Sequence, residues 1–139
     1  RRAHTRIRLW GVDTPETVRP GEPPMYYGPE ASAFSRACVE ERNIRLELSP
    51  GRSRDKYGRL LGYVYFGDPP AMLNEELIAR GYGYADRRFD HPWKARFVQL
   101  EERAQKERQG LWAGVKPEQM PAWRQRYDAW RSESRPSAD

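Results

Sequence analysis

The sequence predicts a mainly β domain with helices, a fold of α+β character. Three segments carry apolar residues at every second position, as strands do, and four segments carry them at helical spacing. The chain has 139 residues, a length that suits one domain with a modest core. We expect this domain to occupy residues 1–113, followed by a helix and tail of different composition over residues 114–139.

The first predicted element is a strand over residues 5–12, TRIRLWGV, where Ile7 and Leu9 alternate with arginines and a tryptophan. Residues 17–27 contain three prolines and a glycine and therefore predict a loop. Residues 27–41, YGPEASAFSRACVEE, predict a helix, because Pro29 suits a first helical turn. The residues expected on its buried stripe are Ala31, Phe34, Cys38 and Val39.

Two further strands are predicted on either side of a basic connection. NIRLEL, residues 43–48, alternates three apolar residues with charged ones, which gives Ile44, Leu46 and Leu48 one common face. SPGRSRDKYGR, residues 49–59, contains glycines and basic residues and predicts a loop. LLGYVYF, residues 60–66, predicts an aromatic-rich strand that ends at the turn GDPP.

The second half of the chain is predicted to be helical. AMLNEELIARG, residues 71–81, predicts a short helix with Gly81 at its C-terminal cap. Residues 92–110 predict a longer helix with a stripe of Phe97, Leu100 and Ala104. The last eight residues, SESRPSAD, are expected to be disordered.

The C-terminal segment MPAWRQRYDAW, residues 120–130, carries large apolar residues on one helical face. These residues are Met120, Trp123, Tyr127 and Trp130. One interpretation is that this face packs back on the domain. The other is that it binds a partner or stacks on nucleic acid.

Composition narrows the function classes. The net charge of +5 favours anionic partners, with nucleic acid ahead of a membrane, and 17 aromatic residues (12% of the chain) offer rings for stacking. No apolar run approaches the ~20 residues of a membrane span, so we expect no membrane partner. The single cysteine, Cys38, excludes an internal disulfide and a cysteine-based zinc site, and we interpret it as a small core residue.

The segment RLWGVDTPET, residues 8–17, points to phosphodiester chemistry. Hydrolysis needs an aimed and deprotonated water, a hard cation held by oxygen ligands, and a cationic clamp on the phosphate. Asp13 and the Thr14 carbonyl are suitable ligands, Glu16 is a suitable base, and arginine suits the clamp. Arg8 lies five residues before Asp13, so the two can meet only if the chain bends near residues 11–13.

A second basic cluster, RDKYGR, follows at residues 54–59. Lys56 could hold a flanking phosphate, the Tyr57 hydroxyl could donate to the same phosphate, and its ring could instead stack on a base. Each motif also has an ordinary structural interpretation. Taken alone, D-T-P-E is typical of a turn or helix start, and DKYGR is typical of a polar hairpin loop.

Taken in order, these segments resemble the staphylococcal-nuclease-like, or thermonuclease, family. The resemblance begins at RLWGVDTPET and continues through YGPEASAF, RDKYGRLLGYVYF and MLNEELIARGY to EERAQKERQGLW at residue 112. It implies an OB-fold, a five-stranded Greek-key barrel with three helices packed around it. It also implies a calcium-dependent, sugar-nonspecific endonuclease or exonuclease that cuts DNA and RNA to 3′-phosphate ends.

The resemblance assigns roles by position. Arg8 and Arg59 match the family's phosphate-clamping arginines, and Glu16 matches its water-positioning or general-base glutamate. Asp13 and the Thr14 carbonyl match calcium ligands. In the cluster at residues 54–59, the lysine and the tyrosine match groups that hold the terminal phosphate of the substrate.

One part of the family pattern is missing. The family begins with strands that end in a D-G-D-T-like segment, whose aspartate is a calcium ligand, whereas this sequence begins RRAHTRIRLW. We therefore expect the chain to be a piece of a longer protein, in which the absent strands close the barrel. Without that ligand, the alternative to an enzyme is a nuclease-like module that binds nucleic acid and does not cut.

The expected partners are single-stranded DNA and RNA. A third hypothesis is a structural domain that takes a protein partner through its C-terminal helix. Binding to phosphates would weaken steeply with salt, which distinguishes the nuclease and the non-cutting nucleic-acid-binding module from this structural domain. By analogy with the family, we expect a bacterial protein that is secreted or held in the cell envelope.

Overall fold

The computed structural model describes residues 4–17 and 20–134, and these form an α+β fold with mixed sheets and four helices. The strands are β1 (Ile7–Leu9), β2 (Val12–Asp13), β3 (Ile44–Leu48), β4 (Leu60–Phe66), β5 (Ala71–Met72) and β6 (Tyr84–Ala85). The helices are α1 (Gly28–Val39), α2 (Leu73–Ala79), α3 (Lys94–Lys106) and α4 (Ala122–Ser134), with 3-10 turns at Gly110–Ala113 and Pro117–Gln119. No helix among the described residues combines the length and apolar character needed to span a membrane.

Strand β4 is the centre of the main sheet. It pairs with β1 in parallel, with β3 antiparallel, and with the short β5 at its far end. Strands β2 and β6 form a separate antiparallel ribbon. Among the described residues, β1 and β3 have β4 as their one strand partner, so closure into a barrel stays a prediction.

The main core lies where β4 meets α2 and α3. Its fully buried side chains include Leu61, Tyr63, Leu77 and Phe97. Asn74 is also fully buried, and its amide group ties three segments together: its Oδ1 accepts a hydrogen bond from the Val64 N–H, and its Nδ2 donates to the carbonyls of Trp10 and Gly62. Because all these polar groups are paired, burying them costs little.

The predicted first strand is interrupted. A turn at residues 10–11 separates β1 from β2, and Gly11 adopts a left-handed conformation with φ of 78°. A side chain at this position would overlap the rings of His91 and Phe97, so the turn needs a glycine. The bend moves Trp10 into the core, where it is 4% exposed, instead of leaving it beside the arginines.

Three other expectations need correction. Of the apolar face predicted on β3, only Leu46 packs against the core; Ile44 and Leu48 are 41% and 45% exposed, because no described segment covers the two ends of this edge strand. The helix expected from residue 71 begins at Leu73, because the two preceding residues pair with β4 as β5. Residues 132–134 complete α4 instead of being disordered, and the remaining tail, 135–139, lies outside the described residues.

The helical stripes match the predictions more closely. Ala31, Phe97 and Ala104 are buried, and Phe34, Cys38, Val39 and Leu100 pack against the core while staying partly exposed. Gly81 follows α2 with φ of 77°, as a C-terminal cap requires. Of the aromatic face predicted for the C-terminal helix, Met120 precedes α4, Trp123 and Tyr127 pack against a second cluster around Tyr84 and Leu111, and Trp130 is 60% exposed.

Candidate active site

One surface cavity, of about 300 Å³, gathers the residues proposed for phosphate chemistry. It lies at the corner between β1 and β2. Its lining includes Arg8, Asp13, Thr14, Glu16 and Arg59, together with the apolar side chains of Ile7, Leu9 and Val12. The four ionisable groups of the sequence hypothesis therefore share a single space.

Backbone pairing explains how distant segments reach this cavity. The parallel register aligns Arg8 of β1 with Leu61 of β4, and the Leu60 N–H donates to the Arg6 carbonyl. Arg59, which directly precedes β4, is thereby brought to the cavity that Arg8 also lines. The turn at Gly11 then redirects the chain, so that Asp13 faces the same cavity from β2.

Arg59 is fixed by an aspartate of its own loop. Asp55 Oδ1 accepts hydrogen bonds from the backbone N–H groups of Tyr57 and Arg59, and its Oδ2 accepts from Arg59 Nε at 2.6 Å. Desolvation alone would raise the pKa of Asp55, but these hydrogen bonds outweigh it and hold the pKa below its ordinary value. The two terminal nitrogens of Arg59 make no hydrogen bond within the described residues and remain available for a phosphate.

Arg8 is placed by an aspartate that sequence reasoning missed. Its Nη2 lies 3.5 Å from Asp86 Oδ2, and the Asp86 side chain is 1% exposed. Asp86 also holds Arg88, which contacts both carboxylate oxygens at 3.0 and 2.8 Å. Asp86 follows β6, so its N–H reaches the Gly11 carbonyl and joins this network to the turn.

Asp13 is held from the C-terminal helix. The indole Nε1–H of Trp123 in α4 donates to Asp13 Oδ2 at 2.6 Å, and Arg88 Nη2 lies 3.8 Å from the same oxygen. Burial raises the pKa of Asp13 above its ordinary value, and the hydrogen bond from Trp123 and the charge of Arg88 only partly offset that effect. A residue 110 positions away thus orients the predicted metal ligand.

The remaining predicted residues lie at the rim. Glu16 is exposed on the cavity lining, and its backbone carbonyl accepts from the Met25 N–H. Lys56 and Tyr57 lie at the exposed tip of the 54–59 loop, outside the cavity lining. The Tyr57 ring is 5.2 Å from Lys56 Nζ and 5.6 Å from Arg59 Cζ, so this tip extends the cationic surface of the cavity.

The cavity offers the oxygen donors that a hard cation prefers. Asp13 supplies a carboxylate and Thr14 supplies a carbonyl, which suits calcium in kind, and the Glu16 carboxylate lies at the rim of the same cavity. No group of three or more His, Cys, Asp or Glu side chains with metal-binding geometry occurs in the described part of the chain. A calcium ion here would therefore need water or other oxygen ligands to complete six to eight contacts.

The model of the family described as "Staphylococcal nuclease homologue" matches residues 6–114. The chain is 38% identical over 108 residues to a thermonuclease of Staphylococcus hyicus and 39% identical over 110 residues to a thermonuclease of Staphylococcus intermedius. Each match covers 77% of this chain and 62% of the relative.

A more distant relative is the SPbeta prophage-derived endonuclease YokF of Bacillus subtilis, 33% identical over 110 residues, with 77% of this chain and 36% of the relative covered. The chain thus spans less than two thirds of the length of these relatives. The family model covers most of the chain, including every residue that lines the cavity. This chain belongs to the staphylococcal nuclease homologue family.

Proposed function

We propose that this chain carries the phosphate-cleaving site of a calcium-dependent, sugar-nonspecific nuclease that hydrolyses DNA and RNA to 3′-phosphate ends. The observation that carries the proposal is the single cavity shared by Arg8, Arg59, Asp13 and Glu16. It combines two planar cations with two carboxylates, which is the set that phosphodiester hydrolysis requires. The names of the relatives, thermonuclease and endonuclease, support the same reaction class.

The two arginines bind the scissile phosphate. Arg59 presents its terminal nitrogens while Asp55 holds its Nε, so the guanidinium reaches the phosphate already oriented. Arg8 approaches from the neighbouring strand and is held less tightly, at 3.5 Å from Asp86. Two guanidinium groups that donate to the equatorial oxygens stabilise the negative charge that develops there as water attacks.

Glu16 orients the attacking water and accepts its proton. The water oxygen bonds to phosphorus as the bond to the 5′-oxygen breaks, which leaves the phosphate on the 3′ side, and the departing 5′-oxygen takes up a proton from solvent. Asp13 and the Thr14 carbonyl would hold calcium, whose positive charge polarises the phosphate when it is bound. Lys56 and Tyr57, at the loop tip, hold a flanking phosphate of the substrate.

Sequence specificity is expected to be weak. Every group in the proposed mechanism contacts phosphate or water, and none is assigned to the hydrogen-bonding edge of a base. The 2′-hydroxyl has no assigned partner either, so the site does not distinguish ribose from deoxyribose. Comparable cleavage of single-stranded DNA and RNA follows from this arrangement.

The second candidate function is a module that binds nucleic acid and does not cut. The observation in its favour is the engagement of Asp13, whose Oδ2 is already bonded to Trp123 and lies 3.8 Å from Arg88. A carboxylate that is shared with two donors is a weaker ligand for calcium. If this candidate is correct, the chain binds single-stranded nucleic acid and does not cleave it.

The test is cleavage of single-stranded DNA and RNA by the full chain, with calcium and with a chelator. We expect cleavage in the presence of calcium and none in the presence of the chelator. The cleavage rate of Glu16→Gln should be roughly 10²–10⁴-fold lower than that of the wild type, because that variant lacks the base. Glu102→Gln is the matched control, because Glu102 is exposed on α3 and does not line the cavity. Strand binding without calcium-dependent cleavage would favour the non-cutting module, and cleavage by Glu16→Gln at the wild-type rate would refute the role of Glu16.

A further inference from the structure

A second groove lies on the far side of the Asp13–Trp123 hydrogen bond. It has a volume of about 300 Å³ and is formed by α4 and the segment after β6. Its lining consists of Arg87, Arg88, Trp123, Arg126, Tyr127 and Trp130. Three arginines and three aromatic residues line this groove, and no carboxylate does so among the described residues.

Part of this lining is structural and part is available to a ligand. The Arg87 side chain is 6% exposed and pairs with Glu101 at 2.7 Å, so it belongs to the core. Trp130, by contrast, is 60% exposed, and Arg126 is exposed and makes no ion pair within residues 4–17 and 20–134. The groove therefore combines an uncompensated cation with an exposed aromatic surface.

The aromatic rings form a short platform. The centroids of Tyr127 and Trp130 are 6.0 Å apart with an interplanar angle of 41°, and the guanidinium carbon of Arg131 lies 5.9 Å from the Tyr127 ring. Flat rings flanked by cations suit unpaired bases joined by phosphates, because every base has a face that can stack. A duplex hides those faces, so this platform favours a single strand.

Two residues of the groove lining connect it to the candidate active site through their side-chain contacts. Trp123 lines the groove and donates to Asp13, which lines the cavity. Arg88 lines the groove and pairs with Asp86, which also contacts Arg8 of the cavity. A nucleic-acid strand that extends from the cavity towards α4 therefore reaches the arginines and aromatic rings of the groove. No carboxylate of the described residues lines this groove.

We propose that this groove is an accessory binding site for the single-stranded substrate. Bases beyond the scissile phosphate stack on Trp130 and Tyr127, and the backbone phosphates between them contact Arg126 and Arg88. The inference rests on the proposed function, since it extends the same strand. It gives α4, which lies outside the family match at residues 6–114, a role in substrate affinity.

The experiment measures binding of the full chain to fluorescein-labelled single-stranded DNA by anisotropy, in a chelator so that nothing is cut. One oligonucleotide has about 3 nucleotides, enough for the cavity, and the other has about 12, enough to reach the groove. We expect Trp130→Ala to weaken binding of the long strand by about 10-fold to 100-fold and to leave the short strand unaffected. Trp130→Phe, which keeps a stacking ring, should recover most of the loss.

Arg126→Ala tests the phosphate contact. It should weaken binding of the long strand and lower the salt slope by about 1, because one phosphate contact disappears. Arg103→Ala, which is exposed on α3 and outside the groove, is the charge-matched control. Trp130 and Arg126 are exposed, so equal melting temperatures for all variants are expected and verify that folding is intact.

The outcomes separate this inference from the proposed function. If Trp130→Ala and Arg126→Ala bind the long strand as the wild type does, while Arg59→Ala weakens both strands, the groove is not a strand site and the proposed function stands. If the two strand lengths bind equally, and an acidic peptide binds the wild type but not Trp130→Ala or Arg126→Ala, the groove takes a protein and the inference fails. If the wild type binds neither strand, the inference fails, and the cleavage assay with calcium decides the proposed function separately.

Discussion

Replacing Trp123 with phenylalanine tests whether the C-terminal helix holds the predicted calcium ligand. The substitution keeps an aromatic ring in the cluster around Tyr84 and Leu111 but removes the indole N–H that donates to Asp13 Oδ2 at 2.6 Å. Trp123 is 8% exposed, so water cannot easily replace the lost donor. The partly buried Asp13 carboxylate, 20% exposed, then keeps only Arg88, 3.8 Å away, among the two donors that contact its Oδ2.

The expected magnitude follows from the charge on the acceptor. A hydrogen bond to an ionised group contributes about 1.5–3 kcal/mol, and the smaller phenylalanine ring adds a packing loss. For a domain of this size, each 1 kcal/mol shifts the melting temperature by about 4 °C. The lost hydrogen bond alone should lower the melting temperature of Trp123→Phe by about 6–12 °C, and the packing loss adds to this.

The assay is thermal and urea unfolding at neutral pH, with Trp130→Phe as the control because Trp130 is 60% exposed. A double-mutant cycle with Asp13→Ala isolates the pair from the packing loss. We expect a coupling free energy above roughly 1 kcal/mol. A coupling energy near zero, with equal melting temperatures for Trp123→Phe and Trp130→Phe, would refute the reasoning.

Three further predictions concern buried groups. Gly11→Ala should cost at least about 1–3 kcal/mol of unfolding free energy, because Gly11 has φ of 78° and a side chain would overlap His91; Gly51→Ala, with φ of 75° and open space around it, measures the backbone strain alone. Glu101→Gln should lower the unfolding free energy measured in urea by about 3–5 kcal/mol, because the fully buried Glu101 carboxylate pairs with Arg124 at 2.6 Å and with Arg87 at 2.7 Å. Unchanged stability would exclude this buried network. Burial lowers the pKa of His91, so the contribution of neutral His91 to stability is fully present above the unfolded-state pKa of 6.5 and is lost as the pH falls below that value. His91→Gln should therefore show a flatter dependence of the unfolding free energy on pH between about 8 and 5. An unchanged slope would contradict this.

The four ionisable side chains that face the cavity were predictable from the sequence. Arg8, Asp13 and Glu16 lie within nine residues of one another, and their types indicate phosphate and cation chemistry. The need for a bend between Arg8 and Asp13 was also predictable, because an odd spacing places them on opposite faces of a strand. Gly11 supplies that bend.

The residues that support the cavity were not predictable in the same way. Asp86 and Trp123 reach Arg8 and Asp13 across 78 and 110 positions, and no local pattern encodes such contacts. The two-residue strands β2, β5 and β6 are too short to show a period of two. The burial of Glu101 was predictable from the sequence, since Glu101 lies four residues after Phe97 and so shares its apolar helical face.

The most direct test of the account is the cleavage rate of single-stranded DNA by wild type, Arg8→Ala, Arg59→Ala and the double variant, with calcium present. If both arginines act on the same phosphate in one cavity, each single variant loses at least about 100-fold, and the double variant loses much less than the product of the two. Wild-type cleavage by either single variant, or losses that multiply, would contradict the account.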